Sequence, residues 1–280
     1  MLYVVPTPIG NLGDITFRAL DVLRDCDLIA AEDTRHTLKL LTHFDIKKRV
    51  ISYFEHNKIT RGQELLNHLL AGANVAVVSD AGMPGISDPG ADLIKLAVEN
   101  NIEVCVLPGA CAGITALVSS ALPTDKFVFE GFIGTDNKKI AAFSQMIRVE
   151  KRTVIIYEAP HRIMKTLELL KDNIGNRKIA VCRELTKLHE EIFRGTPDEA
   201  ILHFTENAPR GEFVIIIEGA GEEVPLAEEI QMSDEEIYQE VNRLRSQGMG
   251  KNEALKKVSD VCGKSRNEIY SICEKVKKGY

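Results

Sequence analysis

The stretch Val75–Gly90, VAVVSDAGMPGISDPG, decides how the chain is read. Its first four residues form an apolar run closely bounded by polar or small ones, the pattern of a strand buried on both faces. A loop rich in Gly, Pro and Asp follows at once. In open α/β sheets, ligands sit beyond the carboxyl ends of the strands, where small residues let backbone N–H and C=O groups approach closely. Working outward, GQELLNHLLAG precedes this strand, and ADLIKLAVEN leads from its loop to IEVCVLP. The runs LYVV, ITFRALDVLRDC, DLIAA, TLKLLTHF and VISYF repeat the rhythm toward the N-terminus. Short apolar runs alternating with amphipathic stretches, joined by short connections, imply an α/β fold built from parallel strand-helix-strand units.

Around Pro123 to Gly134 the pattern changes, and ALPTDKFVFEGFIG reads as a crossover between halves. TVIIYEAP, IMKTLELLKDN, KIAVCREL, EEIFRGT, a helix start at Pro197 and EFVIIIEG then imply a second, mixed sheet with antiparallel pairs. The acidic AGEEVPLAEEIQMS reads as a linker. Beyond it, Ser233 and Glu236 form a capping box, and Gly248 is placed to end the helix they open. Two further helices, NEALKKVSDVCG and SRNEIYSICEKVKK, meet at Gly263, with Ser265 as N-cap and Glu268 at the third helical position. The expected divisions are a first lobe over 1–120, a second over 121–222, a linker over 223–232, and a helix-turn-helix-like, RNA-binding domain over 233–280.

The 280 residues suit more than one domain. With 44% apolar and 27% charged residues, and no apolar run near the ~20 residues of a membrane helix, a globular, non-membrane protein is expected. MLYVVPTPIGN lacks the basic and long apolar segments of an export signal, so the expected location is cytoplasmic. The six cysteines are scattered with no C-x-x-C pair, which argues for reduced thiols over disulfides or zinc. Net charge is −6, unevenly spread: residues 1–240 carry 25 Lys/Arg against 37 Asp/Glu, whereas 241–280 carry 10 against 4. A basic helical tail on an acidic body suits an RNA anchor, and equally a solvated helix surface.

There is no G-x-G-x-x-G after the first strand, no P-loop, no H-E-x-x-H, no G-x-S-x-G and no acidic ladder with metal spacing. Ordinary dinucleotide, ATP and common hydrolase sites lose support, and no metal is expected. Instead four Gly/Pro/Asp-type loops each follow an apolar run: Pro6 to Asp14, Ser79 to Gly90, Pro108 to Gly113 and Tyr157 to Arg162.

VVPTPIGNLGDITFRAL, AAEDTRHTLKLL, VSDAGMPGISDPG, LPGACAGITAL, YEAPHRI and RELTKLHEEIFRG closely resemble the bacterial ribosomal-RNA 2'-O-methyltransferases of the tetrapyrrole methylase superfamily. The likeness spans residues 2 to 220, and the basic tail resembles that family's C-terminal helical domain. Corrin and porphyrin enzymes carry a G-x-G-P-G-type first loop; PTPIGN fits the RNA branch. The resemblance implies a two-lobed, non-Rossmann fold, a homodimer, and S-adenosylmethionine in the cleft between lobes. It implies methylation of a cytidine ribose 2'-hydroxyl in the decoding region of 16S rRNA, within the small ribosomal subunit. A tetrapyrrole intermediate is the alternative acceptor. By resemblance, Pro8, Ser79, Asp80, Met83, Cys111, Ala112, Tyr157 and Thr186 bind the cofactor.

Methyl transfer from a sulfonium is mainly a matter of positioning, but a ribose hydroxyl must lose its proton, which favours a nearby acceptor. Glu184, the Glu32–Asp33 pair and His56 lie at the ends of expected strands, with Glu184 foremost. Asp33 equally suits a helix cap paired with Arg35, and His56 a surface histidine. Arg35, Arg162, Arg183, Lys187 and Arg194 are candidates for a phosphate-guiding rim or for ordinary ion pairs.

Overall fold

The structure is a computed structural model, describing residues 1–206, 209–221, 232–262, 264 and 266–277. All of the expected linker 223–232 except Met232, and the turn residues Gly263 and Ser265, lie outside the described residues. The contacts divide the chain into two compact units, 1–220 and 221–280.

The first unit contains two five-stranded sheets. The N-terminal sheet is built from β1 (Leu2–Val4), β2 (Leu28–Ala31), β3 (Val50–Ser52), β4 (Val75–Val78) and β5 (Val104–Val106), in the order β3-β2-β4-β1-β5 with every pair parallel. The expected VAVV strand is the central β4, and all four of its residues are buried. Alternation explains why it has no polar face. Val75 and Val77 pack with Leu65, Leu69, Leu93 and Ala97 on one side, while Ala76 and Val78 pack with Leu20, Leu23 and Leu41 on the other. Those partners come from α1 (Phe17–Asp25), α2 (Thr34–His43), α3 (Lys58–Leu70) and α4 (Gly90–Glu99). From β1 the chain crosses to β2, whereas from β4 it crosses to β5 on the opposite side of β1. The carboxyl ends of the adjacent β1 and β4 therefore form a topological switch point, where a ligand crevice opens.

The second sheet comprises β6 (Phe127–Phe132), β7 (Thr153–Glu158), β8 (Ile179–Arg183), β9 (Glu191–Gly195) and β10 (Phe213–Ile217), in the order β6-β7-β10-β8-β9. Only β6 and β7 pair in parallel; the other three pairings are antiparallel. The stretch expected to be a crossover thus holds a strand, β6, with a register shift between Phe129 and Gly131. Gly131 takes φ +62° there, and the irregularity breaks the alternation that would have marked a strand. Helices α6 (Asn137–Val149), α7 (Ile163–Ile174) and α8 (Pro197–Glu206) supply the partners for one face of the sheet.

The other face is covered by α5 (Ala112–Ser120). Ala116 and Leu117 pack with Ile155, Ala180, Cys182, Val214 and Ile216. Although α5 falls within residues 1–120, expected as the first lobe, its packing joins it to the second sheet. The Pro108–Gly113 loop that enters α5 therefore bridges the two sheets.

The second unit has three helices, α9 (Asp234–Ser246), α10 (Lys251–Cys262) and α11 (Arg266–Lys277), around Ile237, Val241, Leu244, Leu255, Val258 and Ile269. Ser233 and Glu236 form a reciprocal capping box at the start of α9. At its end, Gly248 adopts φ +92° while Met249 N–H donates to Leu244 C=O at 3.2 Å, a stop that glycine makes without strain. Among the described residues, no helix is long and apolar enough to cross a membrane, and no group of three or more His, Cys, Asp or Glu could hold a metal ion.

Candidate active site

The loops after β1 and β4 are tied together at the switch point. Thr7 and Gly82 exchange two backbone hydrogen bonds of 3.0 Å, and Thr7 Oγ1 donates to Ser79 C=O at 3.2 Å. Gly82 has φ +80°, and a Cβ added there would stand 3.1 Å from Ile9 Cγ2 and 3.4 Å from Ala110 O. Only glycine meets both demands without displacing a neighbour. Asp80 Oδ1 accepts from Asp33 N–H at 2.9 Å, joining the β4 loop to the β2 loop. Asp88 accepts from Gly85 and Gly90 N–H at 2.7–2.9 Å and so shapes the entry to α4.

These loops and the second sheet enclose a cavity of about 460 Å³. It collects Glu32, Ser79, Asp80, Met83, Cys111, Ala112 and Tyr157, seven of the residues expected at the site. The second sheet contributes an apolar wall that includes Phe132, Leu185, Phe213 and Val214. Tyr157 stands edge-on between Phe129 at 5.0 Å and Phe132 at 5.6 Å, and its hydroxyl accepts from Gly113 N–H at 3.1 Å. Burial raises the pKa of that hydroxyl, which keeps it a neutral hydrogen-bonding group.

Among the described residues this lining holds carboxylates and no cation, although two of the carboxylates are paired from outside it: Arg162 Nε lies 3.8 Å from Glu158 and Lys187 Nζ 2.9 Å from Glu212. Glu32, Asp80, Asp88, Glu158 and Glu212 are present, without any Lys, Arg or His. Burial, reinforced by Asp80 and Asp88, raises the Glu32 pKa; burial likewise raises that of Asp88. Glu158 is held by Thr166 Oγ1 at 2.6 Å and by Ala159 N–H at 2.9 Å.

A second cavity, also of about 460 Å³, adjoins the first through Ile9, Ser79, Asp80, Ala81 and Glu212. Pro8 lines this one, together with Thr7, His36, Thr37, Lys39 and Lys187.

Three expected site residues lie outside both linings. Thr186 adopts φ +66°, and its Oγ1 accepts from Asn11 N–H at 3.0 Å; its neighbour Leu185 is the residue that faces the first cavity. Glu184, foremost among the expected proton acceptors, is fastened by Lys187 Nζ at 2.8 Å and Glu212 N–H at 3.0 Å. Although its partial burial acts in the opposite direction, these partners hold its pKa below the ordinary carboxylate value, so it is a poor proton acceptor that braces the loop. His56 is exposed on the turn after β3, edge-on to Phe54 at 6.1 Å. Of the candidate acceptors Glu184, Glu32, Asp33 and His56, Glu32 alone lines a cavity.

The expected arginine rim resolves into internal pairing. Arg35 binds Asp33 at 2.7 Å, Arg183 lies 3.1 Å from Glu191, Arg162 donates to Gly134 C=O, and Arg194 donates to Ser119 C=O. Asp88, Glu158, Phe132, Val214, His36 and Lys39 were not singled out from sequence, yet all line a cavity. Asp88 and Glu158 lie inside the loops Ser79–Gly90 and Tyr157–Arg162, so loop membership was their signal.

Residues 1–201 match the family described as Tetrapyrrole (Corrin/Porphyrin) Methylases. A Synechocystis sp. protein named "Ribosomal RNA small subunit methyltransferase I" is 49% identical over 273 residues, which cover 97% of this chain and 96% of that one. The chain belongs to this methyltransferase family. Members from Halalkalibacterium halodurans and Bacillus subtilis are 46% and 42% identical, over 97% and 96% of this chain and 93% and 92% of their own. Solved structures share the family fold at low identity. Diphthine synthase superposes with a TM-score of 0.60 at 14% identity, covering 78% of this chain and 89% of its own. Uroporphyrin-III C-methyltransferase from Thermus thermophilus, complexed with S-adenosylhomocysteine, gives 0.53 at 16%, covering 77% and 96%.

Proposed function

We propose that the protein transfers a methyl group from S-adenosylmethionine to a cytidine ribose 2'-hydroxyl in the decoding region of 16S rRNA, acting in the cytoplasm on the small ribosomal subunit as a homodimer. The observation that carries the reading is the first cavity: carboxylates as its only ionised groups on one side and an apolar wall on the other. That combination suits a ligand bearing a sulfonium and an ammonium beside an adenine ring, because Glu32, Asp80 and Asp88, which have no ion pair among the described residues, attract cations while aromatic and aliphatic walls cover a base. The relatives' names supply the acceptor class.

When bound, the cofactor supplies an electrophilic methyl group. Ser79, Asp80 and Met83 hold it from the β4 loop, Cys111 and Ala112 from the entry to α5, and Tyr157 from the second sheet, with Leu185 in the position expected for Thr186. Glu32 takes the proton of the ribose hydroxyl. Its raised pKa makes it a stronger acceptor than an exposed carboxylate. The tail holds neighbouring RNA. A tetrapyrrole bearing several carboxylates is disfavoured as acceptor, since Glu32, Asp80 and Asp88 would repel it.

The test incubates the protein with methyl-labelled S-adenosylmethionine and, separately, small ribosomal subunits, naked 16S rRNA and uroporphyrinogen. Label in the RNA of the subunits is expected. Label only in uroporphyrinogen would overturn the reading.

A further inference from the structure

The second cavity contains groups that a methyl-donor site does not require. Thr37 on α2 is 4% exposed and lines this cavity, yet its hydroxyl has no hydrogen-bond partner among the described residues. Elsewhere on the same helix, Thr42 Oγ1 returns to Leu38 C=O at 2.7 Å, the ordinary arrangement for a helical threonine. The hydroxyl oxygen is open to the cavity, where an occupant can hydrogen-bond it. His36 and Lys39 flank Thr37 on the same cavity wall. They are three residues apart, so they share one face of the helix. Both are exposed, and neither side chain has an ion pair among the described residues, whereas Arg35 is held by Asp33 and Lys187 by Glu184 and Glu212.

We propose that this cavity is the acceptor-nucleotide subsite, in which His36 and Lys39 grip a backbone phosphate and the Thr37 hydroxyl hydrogen-bonds an oxygen of the same nucleotide. The assignment rests on RNA being the acceptor, as proposed above. The first cavity, where Glu32, Asp80 and Asp88 have no ion pair among the described residues, repels a phosphodiester. The second offers the Lys39 ammonium and the His36 ring, and shares Ile9, Ser79, Asp80, Ala81 and Glu212 with the first. A nucleotide there is therefore adjacent to the donor's cavity without sharing it. The same cations could instead hold the carboxylate of S-adenosylmethionine, and the two sources are separable by experiment.

The full-length protein, with His36→Gln and Lys39→Gln combined, is assayed on small ribosomal subunits with methyl-labelled S-adenosylmethionine, and cofactor binding is measured alone by calorimetry. We expect the KM for subunits to rise about tenfold to a hundredfold when the Lys39 ammonium and the His36 ring donor are removed. The slope of log(kcat/KM) against log salt should flatten by about 0.7 for each phosphate charge no longer neutralised. Cofactor Kd should stay within about twofold. Thr37→Val should raise KM severalfold, Lys39→Arg should retain near-normal KM, and Lys95→Gln on α4 should change nothing. An unchanged KM and salt slope in the double variant would overturn the proposal. So would a weakened cofactor Kd with unchanged KM, which would assign the cations to the donor's carboxylate. Failure of the unsubstituted protein to label the subunits at all would sink the underlying RNA reading, a result distinct from either.

Discussion

The two cavities share a wall but differ in charge and in the way their charges are used. In the first, Glu32, Asp80 and Asp88 stand together without an ion pair among the described residues, and Glu32 responds with a raised pKa. In the second, His36 and Lys39 stand unpaired at the surface beside the hydroxyl of the buried Thr37. Elsewhere in this unit cations flanking the site are neutralised by internal carboxylates, as Arg35 and Arg183 show. Uncommitted charge is therefore informative where paired charge is not, because ion pairs at a surface contribute little and signal nothing about ligands. The contrast supports the proposed placement of the cationic donor on one side of a short stretch of loop and of the anionic acceptor on the other.

The largest expected effect comes from Glu32→Gln. Removing the proton acceptor should lower kcat by about a hundredfold to a thousandfold, with cofactor Kd nearly unchanged. The pH dependence sharpens this. Glu32 accepts a proton only when ionised, so kcat should rise with pH through its pKa and then level off, with the rise lying above the ordinary carboxylate range. A Gln variant that kept both the rate and the rising limb, measured in single-turnover assays, would remove Glu32 from the mechanism.

Asp80→Ala should act on the donor cavity instead. It removes both a carboxylate from the lining and the 2.9 Å bond to Asp33 N–H. Calorimetry should find cofactor binding weakened by about tenfold or more. An unchanged affinity would detach the β4 loop from the cofactor.

Truncation after Ala220 should leave cofactor Kd intact and raise the KM for subunits by about tenfold, as removal of a basic anchor does at moderate salt. Full activity in the shortened protein would make the helical unit a bystander. The smallest effect is structural. Gly82→Ala places a methyl 3.1 Å from Ile9 at φ +80°, which should cost about 1–2 kcal/mol and lower Tm by a few degrees in thermal denaturation. A Tm that did not move would mean that the shared wall yields.

The α/β rhythm and the central strand β4 were legible because a parallel strand buried on both faces has no alternation to confuse with a helix, and its flanking helices are strongly amphipathic. The β6 strand was not legible. Its register shift interrupts the period of two, and Phe127 and Phe132 are exposed. Nor does anything in the local pattern of AGITALVSS say which sheet it covers, since α5 is apolar nearly all round. At the site, the loops were legible as loops, whereas the direction of individual side chains within them was not. Leu185 and Thr186 are adjacent, but the left-handed φ of Glu184 and Thr186 turns the leucine toward the cavity and the threonine toward Asn11. Glu184 looked like the best acceptor because its partner Glu212 lies 28 residues away, beyond the reach of local pattern. His36 and Lys39 were hidden inside a stretch whose most prominent residues, Glu32 and Asp33, precede them.

The central claim concerns which atom receives the methyl group, and it is tested most directly by locating the label. Small ribosomal subunits lacking the modification are incubated with the protein and methyl-labelled S-adenosylmethionine, and their 16S rRNA is then hydrolysed with alkali. A 2'-O-methyl group blocks the neighbouring phosphodiester from cleavage, so the label should appear in an alkali-resistant dinucleotide that begins with cytidine. Label released as a mononucleotide carrying a methylated base would contradict the account.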